Sequence, residues 1–336
     1  MDLKFDVEPD SHPPSNIHVL IGRNGVGKTH LLNSMFKSLV EKNGISQKYG
    51  VFSTPTLSTN QIFANIISVS FSAFDETEPL EERKDKTSGI KYSYIGLKRV
   101  QGSGKTKLAP KSPTILKNEF VKSVATCLTM SKGERWKNVI RGLEADPVFK
   151  EAGIATISGF EENEFKKKTS ALFRKLSSGH KIVLLTITRL VETLEEKSLV
   201  LIDEPEAHLH PPLLSAFICV LSNLLIEKNG VAIIATHSPV ILQEVPRNCV
   251  WKLRLNGFEA IAERPVIETF GENVGILTRE VFGLEVTESG FHNILRKVVS
   301  ESENYEQVLE YFNGNLGMDA KAIVRTLFAV NGANKI

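Results

Sequence analysis

The chain has 336 residues, 41% of them hydrophobic, and a net charge of +2. That length accommodates an α/β core with an insertion and a helical appendage, and the near-neutral balance excludes a global affinity for polyanions. Cys127, Cys219 and Cys249 are scattered without C-x-x-C spacing, which points to neither a disulfide framework nor a cysteine zinc site and fits a cytoplasmic setting. No basic leader precedes an apolar segment and no run approaches about eighteen apolar residues, so neither secretion nor a membrane span is expected.

In chain order, Leu3–Val7 is the first candidate strand, and the apolar run Ile17–Ile21 is the second. Directly after it, Gly22-Arg23-Asn24-Gly25-Val26-Gly27-Lys28-Thr29 fits the P-loop pattern G-x-x-x-x-G-K-[ST] and leads into a helical pattern at Leu31–Phe36. In this context the backbone of Asn24, Gly25, Val26 and Gly27 can wrap N–H groups around phosphate oxygens. Lys28 can reach the β and γ phosphates, and Thr29 can ligate Mg²⁺. A nucleoside triphosphate is the implied ligand.

A strand is expected over Ile66–Asp75, after which the core pattern is interrupted from Pro79 to Ser170. Residues 83 to 111 carry Arg83, Lys84, Lys86, Lys91, Lys98, Arg99, Lys105, Lys107 and Lys111 against Asp85. Such an excess can contact the phosphate backbone of DNA or RNA, or it can be a solvated loop balanced by Glu76, Glu78, Glu81 and Glu82. Lys91–Leu97 within it is strand-like. A second apparent P-loop, Gly102–Thr106, fails because Arg99 stands where the first glycine is required. From 114 to 150 the apolar positions Ile115, Leu116, Phe120, Val121, Val124 and Leu128 recur at helical spacing, which predicts a helical lobe.

Leu176-Ser177-Ser178-Gly179-His180 precedes the helical run Ile182–Leu185. Serine hydroxyls and free backbone N–H groups there suit either an anion or an ordinary helix cap. Leu199–Ile202 reads as a buried parallel strand that delivers Asp203 and Glu204 at its C-terminal end. In a P-loop protein the first acid holds the Mg²⁺ shell and the second polarises the attacking water. His208 and His210 alternate without a nearby third ligand, too little to define a metal site. Val231–Ala235 is a further buried strand with Thr236-His237-Ser238-Pro239 at its end, where α/β folds bind ligands. Val250–Leu255 and Gly257–Ala260 suggest a closing hairpin turning at Asn256-Gly257. From Val274 the chain reads as helical, a surface that a second protein could use.

The succession of P-loop, Leu176–His180, Asp203-Glu204 and His237 resembles ABC-type ATPases. The segment Asp203-Glu204-Pro205-Glu206-Ala207-His208-Leu209-His210-Pro211 is similar to the branch that contains OLD nucleases, RecF and SMC-like proteins. The tail Phe270–Phe282 resembles PtuA, the ATPase of Septu-type antiphage systems. The resemblance implies an α/β P-loop NTPase of ABC-ATPase head type. Its core would be 1–78 and 171–262, with an insertion at 79–170 holding the basic loop and helical lobe, and a C-terminal helical region at 263–336. It implies ATP and Mg²⁺ as cofactors, His237 as the switch histidine at the γ phosphate, and Glu206–His210 as the D-loop at a dimer interface. Ser177, Ser178 and Gly179 of one subunit would face the phosphate held by Lys28 of another, in a homodimer or higher oligomer.

The sequence departs from this family in two places. No glutamine ends the strand after the P-loop helix, since Gln61 precedes it, leaving Asp75 or Ser72 as substitutes and hydrolysis as slow. The N-terminus offers Leu3–Val7 where two or three strands are usual, with Phe5 as the candidate adenine-stacking residue. The tail after Glu263 lacks a D-x-D of a nuclease in cis, and no sustained heptad arm appears. The resemblance therefore implies an ATPase that regulates a separate HNH-type nuclease, in some cases with a retron, in antiphage defence. A RecF/SMC-like DNA-repair clamp and a slow-turnover ATP-stabilised scaffold are the alternatives.

Overall fold

The computed structural model describes residues 1–40, 49–53, 62–72, 79, 82–83, 90–100, 109–129, 131–257, 259–283 and 290–333. The near-continuous apolar runs form the strands that a sheet covered on both faces requires. They are β1 (Ile17–Gly22), β2 (Asn65–Ser70), β3 (Lys91–Gly96), β4 (Ser198–Asp203), β5 (Val231–Thr236), β6 (Val250–Asn256) and β7 (Glu259–Glu263). They make one seven-stranded sheet in the order β3-β2-β4-β5-β1-β6-β7. Every pairing is parallel except the β6–β7 hairpin.

Strand residues alternate between faces. On one face Leu20, Ile66, Leu201 and Ile233 pack with Leu32, Met35, Phe36 and Leu39 of helix α1 (Lys28–Val40). Each such side chain removed from water stabilises the fold by roughly 1.5 to 3 kcal/mol. The intervening residues Ile67, Val69, Ile202 and Ile234 are equally buried. The helical lobe consists of α2 (Pro113–Thr129), α3 (Gly133–Leu143), α4 (Pro147–Ala152) and α5 (Glu162–Lys175), with a 3₁₀ turn at Ile154–Gly159. Phe120 stacks on Phe173 at 4.7 Å, and the buried Trp136 Nε1 donates to Thr188 Oγ1 at 3.1 Å on α6 (Ser178–Thr193). Helix α7 (Pro211–Ile226) presents Phe217 edge-on to Phe71.

Several expectations change. Leu3–Val7 is not a strand: both neighbours of β1 are taken, by β5 and β6, and the Lys4 carbonyl accepts from Trp251 Nε1 and Arg264 Nη2 instead. β2 stops at Ser70, short of the expected Asp75, which lies outside the described residues, as do Gln61 and Gly102–Thr106. β3 falls within the expected insertion yet is the outer strand of the core sheet. In the hairpin Asn256 already pairs with Glu259, so the turn sits one residue later than expected, with Gly257 at a φ of 62°. Of the basic loop, Lys91 and Lys111 form ion pairs with Glu195 and Glu119, while Lys84, Lys86, Lys105 and Lys107 lie outside the described residues.

The chain divides into compact units Met1–Val274 and Gly275–Ile336, a boundary later than residue 263. In the second unit α9 (Phe291–Glu301), α10 (Tyr305–Tyr311) and α11 (Met318–Ala333), preceded in sequence by α8 (Val274–Phe282), bury Leu295, Val298, Val299, Val308 and Val324 together. The cysteines are free, and burial pushes the Cys127 and Cys249 thiols up to about 12. Among the described residues no helix is long and apolar enough to cross a membrane.

The inner strand β1 carries one titratable anomaly. His18 on β1 is fully buried, with neither ring nitrogen hydrogen-bonded, and Phe5 meets it edge-on at 5.2 Å. Burial, and then the charge of Arg264, lower its pKa to about 4. The unfolded chain binds this proton more tightly, so stability is full above about pH 6.5 and falls as pH drops towards 4. We predict that His18→Leu reduces the loss of unfolding free energy between about pH 7 and pH 4.5 by roughly 2 to 3 kcal/mol. Urea titrations at the two pH values read this, and equal losses in variant and wild type would refute it.

Candidate active site

Three parallel strands end side by side: β1 runs into the P-loop, β4 into Asp203-Glu204 and β5 into Thr236-His237. The order β4-β5-β1 fixes this, because in parallel register all C-terminal ends lie on one edge, where α/β sheets form their crevice. The loop from Arg23 turns through Gly25 and Gly27 at φ of 80° and 93°, conformations that L side chains rarely adopt. Lys28 begins α1 and is 5% exposed, its Nζ donating to the Gly22 and Arg23 carbonyls at 2.8 Å each. Burial pulls its ammonium below the ordinary lysine range, while Glu204, Glu206 and Asp203 act in the opposite sense.

Thr29 Oγ1 donates to Asp203 Oδ1 at 3.1 Å. A hydroxyl and a carboxylate are the hard oxygen donors Mg²⁺ prefers, and this separation matches the edge of an octahedron with bonds of about 2.0 to 2.1 Å. Thr29 and Asp203 therefore fit the cation that accompanies a nucleotide. The adjoining cavity, about 480 Å³, is lined by Asn24, Gly25, Gly27, Lys28, Thr29 and Glu204 together with His30, Asn33, Ser34, Lys37 and Tyr49. That volume lies in the range of small-molecule sites, roughly 300 to 1,000 Å³. Val26 is buried against the core. The cavity's aromatic is Tyr49, 5.2 Å from Lys37 Nζ. Phe5, the expected adenine-stacking residue, is turned instead towards His18 and the core.

Glu204 leaves the strand in a left-handed conformation, φ 47° and ψ 56°, strained for a non-glycine residue. Its N–H donates to Ala235 O at 2.9 Å, and Pro205 starts the 3₁₀ turn Pro205–His208. The strain turns the Glu204 side chain into the cavity. The turn then places Glu206, expected at the dimer-facing D-loop, inward against the end of β5. Glu206 Oε1 accepts from Thr236 Oγ1 at 2.6 Å and the His237 N–H at 2.7 Å, and lies 3.1 Å from His237 Nδ1. Facing a carboxylate, Nδ1 carries the ring proton. Glu204 Oε1 lies 3.9 Å from the same ring nitrogen. Glu206 Oε2 is buried without a hydrogen-bond partner. Sequence alone assigned Glu206 to the D-loop and not to His237, because that contact depends on a strand 30 positions away.

Ser177, Ser178 and Gly179 do not line this cavity. Ser177 caps α6, and a Cβ on Gly179 would lie 2.5 Å from the His208 carbonyl, so this glycine permits the helix start to abut the 205–210 segment. Ser177 Oγ is 2.6 Å from His180 Nδ1, and His180 Nε2 is 3.1 Å from Asp146 Oδ1. His210, the N-cap of α7, directs Nε2 towards Asp146 Oδ2 at 3.8 Å. Ligand atoms of Asp146, His180 and His210 lie within 4.8 Å of one another. The partners that His210 lacked in sequence thus come from α4 and α6, whereas His208 is outside the cluster. Ser72, a proposed substitute for the missing glutamine, does not line the cavity either. Ser70 sits opposite Asp203 in the β2–β4 register.

Comparison with known proteins bears on the assignment. A family model described as "AAA domain, putative AbiEii toxin, Type IV TA system" matches residues 72–243, about half of the chain, spanning Ser177, Asp203, Glu204 and His237. Protein ea59 of Escherichia phage lambda is 43% identical over 359 aligned positions, covering 100% of this chain and 67% of that protein. A solved structure described as a metal-chelate type ABC transporter in an inward-facing conformation aligns with 74% of this chain and 72% of its own at 14% identity and a TM-score of 0.34, a likeness too slight to bear on the assignment. With a P-loop on β1, an acid pair on β4 and a seven-stranded α/β sheet, the chain belongs to this AAA-domain family of P-loop ATPases.

Proposed function

We propose that the protein binds ATP with Mg²⁺ at Lys28, Thr29 and Asp203, hydrolyses it through Glu204, and does so in a head-to-head dimer. The observation that carries the reading is the convergence of the P-loop, Asp203-Glu204 and His237 on one edge of the sheet. When bound, Mg²⁺ would neutralise phosphate charge beside Thr29 and Asp203. Lys28 supplies the fixed positive charge. Glu204 accepts the proton of the attacking water. His237, its Nδ1–H held by Glu206, would donate from Nε2 to the terminal phosphoryl group as the imidazolium, in which both ring nitrogens carry protons. The positive ends of helix dipoles, at α1 of one copy and α6 of the other, suit the same anion from two directions.

The second half of the site comes from a second copy. Ser177, Ser178 and Gly179 stand at the N-terminus of α6, exposed or abutting the 205–210 segment, and none lines the cavity of its own chain. A nucleotide held by one P-loop would be closed over by the Ser177 segment of the partner, which makes ATP the bond of the dimer and hydrolysis its release. We assign this cycle to control of a separate effector, a nuclease, in conflict between phage and host. The family's description as AbiEii toxin and the phage lambda relative support that setting.

Glu204→Gln tests the chemistry. Hydrolysis falls by about 10² to 10⁴ while ATP binding persists, and an ATP-dependent dimer accumulates. Phosphate release and light-scattering mass, measured together, read both. Undiminished hydrolysis, or an unchanged mass with ATP, would count against the reading. Glu206→Ala, which frees the His237 ring, lowers kcat by roughly 10-fold or more with little change in ATP affinity, because the positioning contact and not the phosphate cradle is lost. Steady-state kinetics beside nucleotide titration separates the two, and an equal fall in affinity would show Glu206 to be part of the binding surface.

A further inference from the structure

We propose that Asp146, His180 and His210 form a zinc site, completed by water, that fastens the start of α6 to the 205–210 segment. The three ligands come from separate elements: Asp146 is the N-cap of α4, His180 lies in the first turn of α6, and His210 is the N-cap of α7. One ligand atom from each lies within 4.8 Å of the other two. His180 Nε2 stands 3.1 Å from Asp146 Oδ1, and His210 Nε2 stands 3.8 Å from Asp146 Oδ2. A tetrahedral Zn²⁺ with bonds of about 2.0 to 2.1 Å has an edge of roughly 3.3 Å, which these separations bracket. Two imidazoles and one carboxylate are a ligand set that Zn²⁺ takes when the fourth position stays open to water. At 3.8 Å the His210 contact is too long for a hydrogen bond, and an ion between the two atoms satisfies both.

The surroundings orient the ligands. The Asp146 and His180 side chains are each 5% exposed and that of His210 is 52% exposed, so two ligands are held by packing and the third leaves an entry path. Asp146 Oδ1 accepts the N–H groups of Val148 at 2.9 Å and Phe149 at 3.4 Å, which fixes the carboxylate with Oδ2 towards His210. Phe149 meets the His180 ring edge-on, with centroids 5.0 Å apart. His180 Nδ1 lies 2.6 Å from Ser177 Oγ. With the ion on Nε2 the ring proton sits on Nδ1 and Ser177 Oγ accepts it, the kind of outer contact that holds a ligand imidazole in place. On His210 the ring proton also moves to Nδ1, at the loss of a 3.4 Å contact from the Leu213 N–H. The N-terminal dipoles of α6 and α7 disfavour a cation, and the Asp146 charge offsets them. Gly179 already brings the start of α6 against the His208 carbonyl, so the ion joins two segments that abut without it.

The test is titration of the full chain, first stripped of metal with a chelator, with Zn²⁺ alone, read by calorimetry and by thermal unfolding. One Zn²⁺ binds per chain and raises Tm. His210→Asn removes the imidazole but keeps α7 capped, since asparagine is among the preferred N-cap residues, and a metal-free Tm close to that of the wild type shows that the variant folds. Its affinity for Zn²⁺ falls by roughly 100-fold or more, because losing an outer contact of a ligand alone costs about 10 to 100-fold, and the rise in Tm disappears. His208→Ala, at the exposed histidine outside the cluster, retains both the affinity and the rise. Failure of the wild-type chain to bind Zn²⁺ overturns the site. Binding that survives His210→Asn also overturns it, since the ion would then sit at the nucleotide cavity or at His237. A loss in His208→Ala equal to that in His210→Asn overturns it as well, because the ion would be held by the exposed histidine pair and would not reach α6.

Discussion

The hydrogen bond from Thr29 to Asp203 joins residues 174 positions apart, and the chemistry of the site depends on it. It forms because β1 and β4 flank β5 in parallel register. The register follows from side chains, since a slip by one residue in β4 would turn Leu199 and Leu201 from the α1 face to the other. Apolar packing on both faces therefore determines, to within a residue, where the Asp203 carboxylate meets the P-loop. Hydrophobic burial carries no information about phosphate, yet here it sets the geometry of phosphate recognition.

The price of that geometry is local. Glu204 adopts a left-handed backbone that costs on the order of 1 to 3 kcal/mol for a non-glycine residue, and its N–H bond to Ala235 and the following Pro205 hold it there. An unstrained continuation of β4 would alternate Glu204 to the face opposite Asp203. Breaking the strand at this residue lets Glu204 line the cavity while the adjacent Asp203 meets Thr29 at its edge. The same turn carries Glu206 back to β5, so the strained residue and the His237 anchor are consequences of one backbone event.

What could be read from sequence divides along the same line. The P-loop, the Asp203-Glu204 pair and His237 are legible because each lies within a few residues of the strand that positions it, and strand, loop and acid form one local pattern. The β6–β7 hairpin and the helical lobe were legible for the same reason. Leu3–Val7 misled because its alternation suits a strand, but whether it pairs depends on which edges the later β6 and β7 occupy. Glu206 and Asp146 were not legible: one acts across 30 positions on Thr236, the other across 34 on His180. Their composition is that of ordinary surface acids, and only the fold shows that their side chains are 8% and 5% exposed.

These two carboxylates place the same device at two points of the fold, the end of β5 and the start of α6. Each is nearly buried, each is stabilised by backbone N–H groups, and each faces an imidazole nitrogen whose proton it fixes. A buried carboxylate is costly unless its lone pairs are satisfied. Asp146 meets that requirement with the first turn of α4, and Glu206 meets it on Oε1 with Thr236 and His237 while Oε2 stays unpartnered. The difference has a consequence. The Asp146–His180 pair is a closed network, suited to hold one arrangement of Ser177. Glu206 keeps an unpartnered acceptor near Glu204 and His237, so its carboxylate is anchored through one oxygen, and that oxygen alone fixes the His237 ring.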